Sequence, residues 1–253
     1  MPTLLHLTLQ AWLLVAVAAF CIGFTRAGFG GFGLIAVLLM AQAFPAKEST
    51  GAVLPMLIMA DFMAISAYRR HVSWGELWRL LPSTFLGLIA GWLLMLLMSR
   101  IPDDLFSHFL GWLILVMMAL VLWQRFDRRI LSGIMHHPVL ATGSGFLAGV
   151  TTMMANAGGP AMTFYLLAKR FDKMAFVGTC AWFFCITNLV KIPLSWNLGL
   201  ITISSLAINL MMLPAIVAGM LVGRLLLGKV SQAAFEWVAI IMAIASAARM
   251  IMV

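Results

Sequence analysis

Apolar residues in this chain gather in long runs, and short polar joints separate them. The first run, Leu4–Thr25, ends in Arg26-Ala-Gly-Phe-Gly-Gly-Phe-Gly33, and a shorter run, Leu34–Phe44, follows. After a joint from Pro45 to Ser49 come Gly51–Tyr68 and, beyond Arg69-Arg70-His71, Trp74–Met98. Arg100 to Asp104 forms the next joint and Leu105–Trp123 the next run. A helix crossing a hydrocarbon core about 30 Å thick needs about 20 apolar residues, so these runs predict membrane-spanning helices. Ser49 or Thr50 is the expected cap of the third one.

The plan then repeats. Pro138–Met154 is apolar and breaks at Asn156-Ala-Gly-Gly-Pro160; a short run, Ala161–Ala168, follows, then a joint at Lys169–Lys173. Met174–Val190, Ile201–Leu227 and Ser231–Val253 complete the chain. Phe44, Gly51 and Asp61 are spaced like Phe171, Gly178 and Asn188, at a constant offset of 127. Pro82, Gly87 and Gly91 match Pro214, Gly219 and Gly223 at 132, and Gly30-Gly31 matches Gly158-Gly159 at 128. Three blocks in one order point to internal duplication, a frequent mark of secondary transporters. The expected fold is all-α and polytopic: residues 1–123 form a first membrane repeat, 124–137 a basic cytoplasmic connecting loop, and 138–253 a second membrane repeat. Each repeat holds one Gly-rich broken helix pair and three further spans.

Composition supports the membrane reading. Hydrophobic residues make up 64% of the 253 positions and charged residues 9%, against about 45–50% and about 25% in a soluble domain. The formal net charge is +8. Because the charges sit in short joints between apolar runs, they follow the positive-inside rule rather than mark a nucleic-acid partner. Cys21, Cys180 and Cys185 all lie in apolar runs and read as packing residues. The N-terminus lacks a basic leader region, so Leu4 onward reads as a first span.

Charge distribution also predicts topology. Arg69, Arg70, Arg79, Arg125, Arg128, Arg129, Lys169, Arg170, Lys173, Arg224 and Lys229 can all be cytoplasmic, with Lys47, Arg100, Lys191 and Arg249 on the other side. That solution requires each Gly-rich break to join two segments entering and leaving from one side. Each half then crosses an odd number of times, so the second is inverted relative to the first. Both termini are expected in the periplasm of a bacterial inner membrane.

Irregular backbone at membrane depth is tolerated where protein buries it or water reaches it, so the chemistry belongs at the two breaks. Short helices starting near Phe32 and Ala161 aim unsatisfied N–H groups and partial positive charge at them. Pro160 suits the first turn of the second, where no N–H donor is needed. Two facing N-termini would form an anion site near the midplane. Its candidate residues are Arg26, Gly28, Gly30, Gly31, Thr152, Asn156, Gly158 and Gly159. The planar guanidinium of Arg26 suits an oxyanion; the alternative is that it snorkels to the interface. Helix packing is the competing account of the glycines. Thr25 and Thr151 are further hydrogen-bond donors unless they bond their own helix.

Asp61 is the acidic residue clearly inside a span. It is a candidate for proton coupling, with a fixed ion pair to Arg26, or hydrogen bonding that holds a helix break, as the alternatives. Lys191, just before Pro193, reads as an interfacial anchor, and Trp12, Trp74, Trp78, Trp123 and Trp196 as aromatic belts. His136-His137 has no nearby thiol or carboxylate to complete a metal site, so neither metal nor cofactor is expected.

The stretches Gly23 to Gly33 and Gly145 to Gly159 resemble the duplicated motif of the TauE/SafE sulfite-exporter family, also called toluene-sulfonate-uptake permeases. Phe29 and Phe32 interrupt the first glycine cluster, and the second has two adjacent glycines. The resemblance implies export or uptake of sulfite, organosulfonates or related anions driven by an ion gradient. The leading function is therefore a secondary transporter of small anions working by alternating access, with proton coupling as one option. Transport of other carboxylates or of a cation is the nearest competitor. A membrane-embedded enzyme is less supported, because Asp61 and Arg26 alone offer chemistry at depth. The expected partners are a small anion and the lipid bilayer. Oligomeric state is open, with a homodimer as one option.

Overall fold

The computed structural model describes residues 8–29, 46–97, 138–201 and 203–252, with single positions 33, 35, 36, 39, 40, 108, 112, 115, 116, 119 and 122 between them. Among these residues every regular element is helical. The central loop 124–137, with His136-His137, lies outside the described residues, as do Gly30, Gly31, Trp123 and the joint from Arg100 to Asp104.

Helix α1 runs Leu9–Arg26, α2 Ala46–Tyr68 and α3 Trp74–Leu97, with a 3-10 turn at Arg69–His71 between the last two. Then come α4 (Pro138–Ala155), α5 (Gly159–Ala168), α6 (Lys173–Asn197), α7 (Ile203–Met211), α8 (Leu213–Lys229) and α9 (Gln232–Met252). Local chemistry sets several starts. The Thr8 hydroxyl accepts from Ala11 N–H, Asp172 Oδ1 accepts from Met174 and Ala175 N–H, and Ser231 Oγ accepts from Ala234 N–H. Each satisfies a donor that the first helical turn leaves open.

Four described helices are long and apolar enough to cross a membrane: α1, α3, α4 and α6. Large apolar side chains such as Leu86, Leu93 and Leu97 on α3, and Leu221 and Leu225 on α8, face outward. In water these faces would be costly; in a multi-pass membrane protein they meet lipid.

Three expectations change. Ser49 and Thr50 do not cap α2, which begins three residues before Ser49, at Ala46. Ile201–Leu227 is two helices rather than one span; Pro214 lies in the first turn of α8, where its missing N–H and its ring break the helical ladder behind it. The span expected to stop at Val190 continues through Pro193 to Asn197, which carries Lys191 into the interior.

The most extensive contacts join α3 to α4 and α1 to α8, followed by α2 with α6. Glycine makes the first two possible. A methyl on Gly87 of α3 would strike the Phe146 carbonyl of α4, and one on Gly219 of α8 would strike the Phe20 carbonyl of α1. Backbone therefore lies against backbone in both pairs, the close approach that small residues permit in membrane helices.

Candidate functional site

Both breaks open onto one cavity of about 50 Å³. Holding one water takes roughly 10–15 Å³ of such space, so about three to five waters fit, the size of a small oxyanion. Thr25, Arg26, Gly28 and Gly33 line it from the first half, and Thr152, Asn156, Gly159 and Pro160 from the second, with Cys180 and Phe184 of α6 beside them.

The backbone at each break leaves helical geometry at a matching place. Gly28 has φ 124° and Asn156 φ 52°. The left-handed region is open to glycine and, among other residues, mainly to Asn and Asp. A side chain on Gly28 would also collide with Val177 of α6. After Asn156 the chain restarts as α5, with Gly158 at its cap and Pro160 in its first turn. Gly159, Pro160 and Thr163 then bring that N-terminus to the cavity wall. The first turn of α5 thus lies beside the cavity. The matching first-half helix lies largely outside the described residues.

Arg26 is the last residue of α1. Its side chain points inward rather than snorkelling: Nε lies 2.6 Å from Asp61 Oδ1, with side-chain exposures of 9% and 0%. This contact is an ion pair without an aligned hydrogen bond. The guanidinium also sits over the Phe184 ring, 4.5 Å from its centroid, a favourable cation–π position. The other carboxylate oxygen, Oδ2, accepts from Asn188 Nδ2 at 2.7 Å. Asp61 and Asn188, which the sequence offset of 127 pairs, thus touch where α2 meets α6.

Lys191 is not the interfacial anchor the sequence suggested. It is 1% exposed, and its ammonium donates to the Thr152 carbonyl and to Asn156 Oδ1, each at 2.6 Å. Thr152 is close to the C-terminal end of α4; its carbonyl also accepts from Asn156 N–H at 3.1 Å, and the negative end of the helix dipole favours a donor there. One signal was present in the sequence. Lys191 lies three residues after Asn188, on the same face of a helix.

The hydroxyls divide. Thr151 donates to its own helix at the Leu147 carbonyl, 2.7 Å away. Thr25 lines the cavity, is 7% exposed, and its Oγ1 has no hydrogen-bond partner among the described residues. A buried hydroxyl of this kind is costly unless a ligand or water satisfies it. Gly158 packs toward Thr152 and caps α5.

A second polar cluster ties α5 to α3. The buried Tyr165 hydroxyl donates to Glu76 Oε2, while Arg79 at 2.9 Å and Lys169 at 3.5 Å reach Oε1. It anchors the short helix whose other end faces the cavity.

A family model described as Sulfite exporter TauE/SafE matches residues 15–250. No curated protein and no solved structure matches the chain. With nearly the whole sequence covered, the apolar helices and the paired breaks have one shared explanation: the chain belongs to the TauE/SafE sulfite exporter family, and is a multi-pass membrane transporter of sulfur anions rather than an enzyme.

Proposed function

We propose that the chain is a secondary transporter of sulfite or small organosulfonates in a bacterial inner membrane, with the anion held in the cavity between the two breaks. The observation that carries this reading is the convergence there of Arg26, the unsatisfied Thr25 hydroxyl and the α5 N-terminus. A planar cation, a free donor and a set of backbone amides together suit a small oxyanion. Arg26, Gly28, Thr152, Asn156, Gly158 and Gly159 form the described part of the site; the other two candidates, Gly30 and Gly31, lie outside the described residues.

Alternating access requires two halves that rock about a fixed ligand, and an inverted repeat supplies them. The packing supports such a repeat: α1 of the first half pairs with α8 of the second, while α4 of the second pairs with α3 of the first. Residues 1–123 and 138–253 are then the moving halves, joined by a cytoplasmic loop at 124–137, with both termini periplasmic. Proton coupling has a natural seat at Asp61. Its carboxylate holds Arg26, so protonation releases the guanidinium toward the anion, and anion and proton bind together.

Proteoliposomes containing the purified chain test this. Sulfite or sulfonate uptake should respond to an imposed proton gradient and disappear in Arg26→Ala. Uptake unchanged in that variant removes Arg26 from the site. A gradient response left intact in Asp61→Asn removes the coupling role.

A further inference from the structure

An asparagine in a cavity wall can meet a guest with either end of its amide, the oxygen as acceptor or the NH2 as donor. Asn156 is such a wall residue. Its left-handed backbone, φ 52°, fixes where the side chain leaves the chain but not which end of the amide turns to the cavity. Lys191 decides that. Its Nζ donates to Asn156 Oδ1 at 2.6 Å. A lysine nitrogen offers N–H groups in its charged and its neutral form alike, and either form has the two hydrogens that its bonds to Oδ1 and to the Thr152 carbonyl need. The amide oxygen is therefore held on the Lys191 side, and Nδ2 is the end left for the other side. Lys191 itself stays behind the wall, 1% exposed. Its second bond, at 2.6 Å, goes to a carbonyl that also accepts Asn156 N–H at 3.1 Å. Backbone and side chain of Asn156 are thus tied to one point on α6.

We propose that Lys191 is a positioning residue for the transported anion: it locks the Asn156 amide with its oxygen toward α6 and its nitrogen toward the cavity, so that the second half meets the guest with a donor. The inference rests on the cavity being the anion site. The oxygens of sulfite or a sulfonate are acceptors, and an amide oxygen facing them would repel where an amide nitrogen bonds. Nδ2 carries two hydrogens, so it can serve the guest beside another partner. The buried Thr25 hydroxyl, which has no hydrogen-bond partner among the described residues, is the matching donor from the first half. Arg26 then shares the cavity with a donor from each half, and the site favours guests rich in acceptors. This role needs only the N–H groups of Lys191 and is independent of its charge.

Methanesulfonate binding to the purified full-length protein, measured by calorimetry, tests the assignment in a double-mutant cycle. Lys191→Met should weaken binding by about tenfold. Asn156→Gly, which drops the amide at a backbone angle that glycine accepts, should weaken it by about as much. Added to Asn156→Gly, Lys191→Met should change the affinity by less than about twofold, because the lysine has lost the group it acts through. A lysine that acted by its charge, or by supporting the fold alone, would weaken binding in the Asn156→Gly background as well. A second loss of about tenfold there, or a Lys191→Met protein that binds like the wild type, overturns the proposal. If Lys191→Met does not fold, Asn156→Gly decides it: wild-type affinity in that variant would show that the amide gives the guest nothing. Failure of both methanesulfonate and sulfite to bind the wild type instead overturns the anion site itself.

Discussion

Asp61→Asn tests the buried network at its centre. The substitution keeps the shape of the side chain and an oxygen able to accept from Asn188, and removes the charge that faces Arg26 at 2.6 Å. At that separation and an effective dielectric of about 20, the lost attraction is about 6 kcal/mol. The relief of desolving one carboxylate offsets part of it. Measured cases of breaking a buried pair put the net cost at about 3–5 kcal/mol, because the surviving charge is stranded. Here the stranded Arg26 also shares the interior with Lys191. At about 2–4 °C per kcal/mol for a chain near this size, the variant should lose about 6–20 °C in Tm. Arg26→Met together with Asp61→Asn removes both charges and should recover part of the loss, giving a coupling energy of about 2–3 kcal/mol in a double-mutant cycle. Thermal unfolding of the four proteins in one detergent, without added anion, is the assay. Additive losses, with coupling below about 0.5 kcal/mol, would mean that the two groups do not stabilise one another and that the ion pair is not the centre of this fold.

Three further outcomes follow from the packing and the site. Gly87→Ala and Gly219→Ala each push a methyl into a facing backbone carbonyl and should cost about 1–3 kcal/mol, whereas Gly143→Ala, which meets open space, should leave Tm nearly unchanged; equal shifts in all three would contradict the crossings. Tyr165→Phe removes the hydroxyl bonded to Glu76 and should cost about 1.5–3 kcal/mol in thermal unfolding, while a stability equal to wild type would show that the α3–α5 anchor contributes nothing. Cys180 lines the cavity and Cys21 does not, so bound sulfonate should slow labelling of Cys180 by a small thiol reagent; mass spectrometry reporting equal rates with and without the anion would place the guest elsewhere.

Much of this molecule was legible in one dimension. Runs of apolar residues near the length of a bilayer force helices, because lipid offers the backbone no hydrogen-bond partner. The positions of the two breaks were equally readable, since Gly28 and the Asn156-to-Pro160 segment cannot continue a helix without cost. The offset of 127 made Asp61 and Asn188 counterparts, but only the fold showed that they bond to one another. Helix ends proved less readable. Proline punctuation suggested a stop before Pro193, yet α6 continues to Asn197, its packing outweighing one missing donor.

Charge partnership belonged to tertiary structure alone. Arg26 and Lys191 looked alike in sequence, each a cation near the end of an apolar run, yet the first was read as a site residue and the second as an interfacial anchor. The fold buried both, gave Arg26 a carboxylate and gave Lys191 only neutral oxygens. Periodicity reports which face of a helix is apolar. It does not say which residues from distant helices will share one small space, and in a low-dielectric interior that sharing decides which polar groups find a partner.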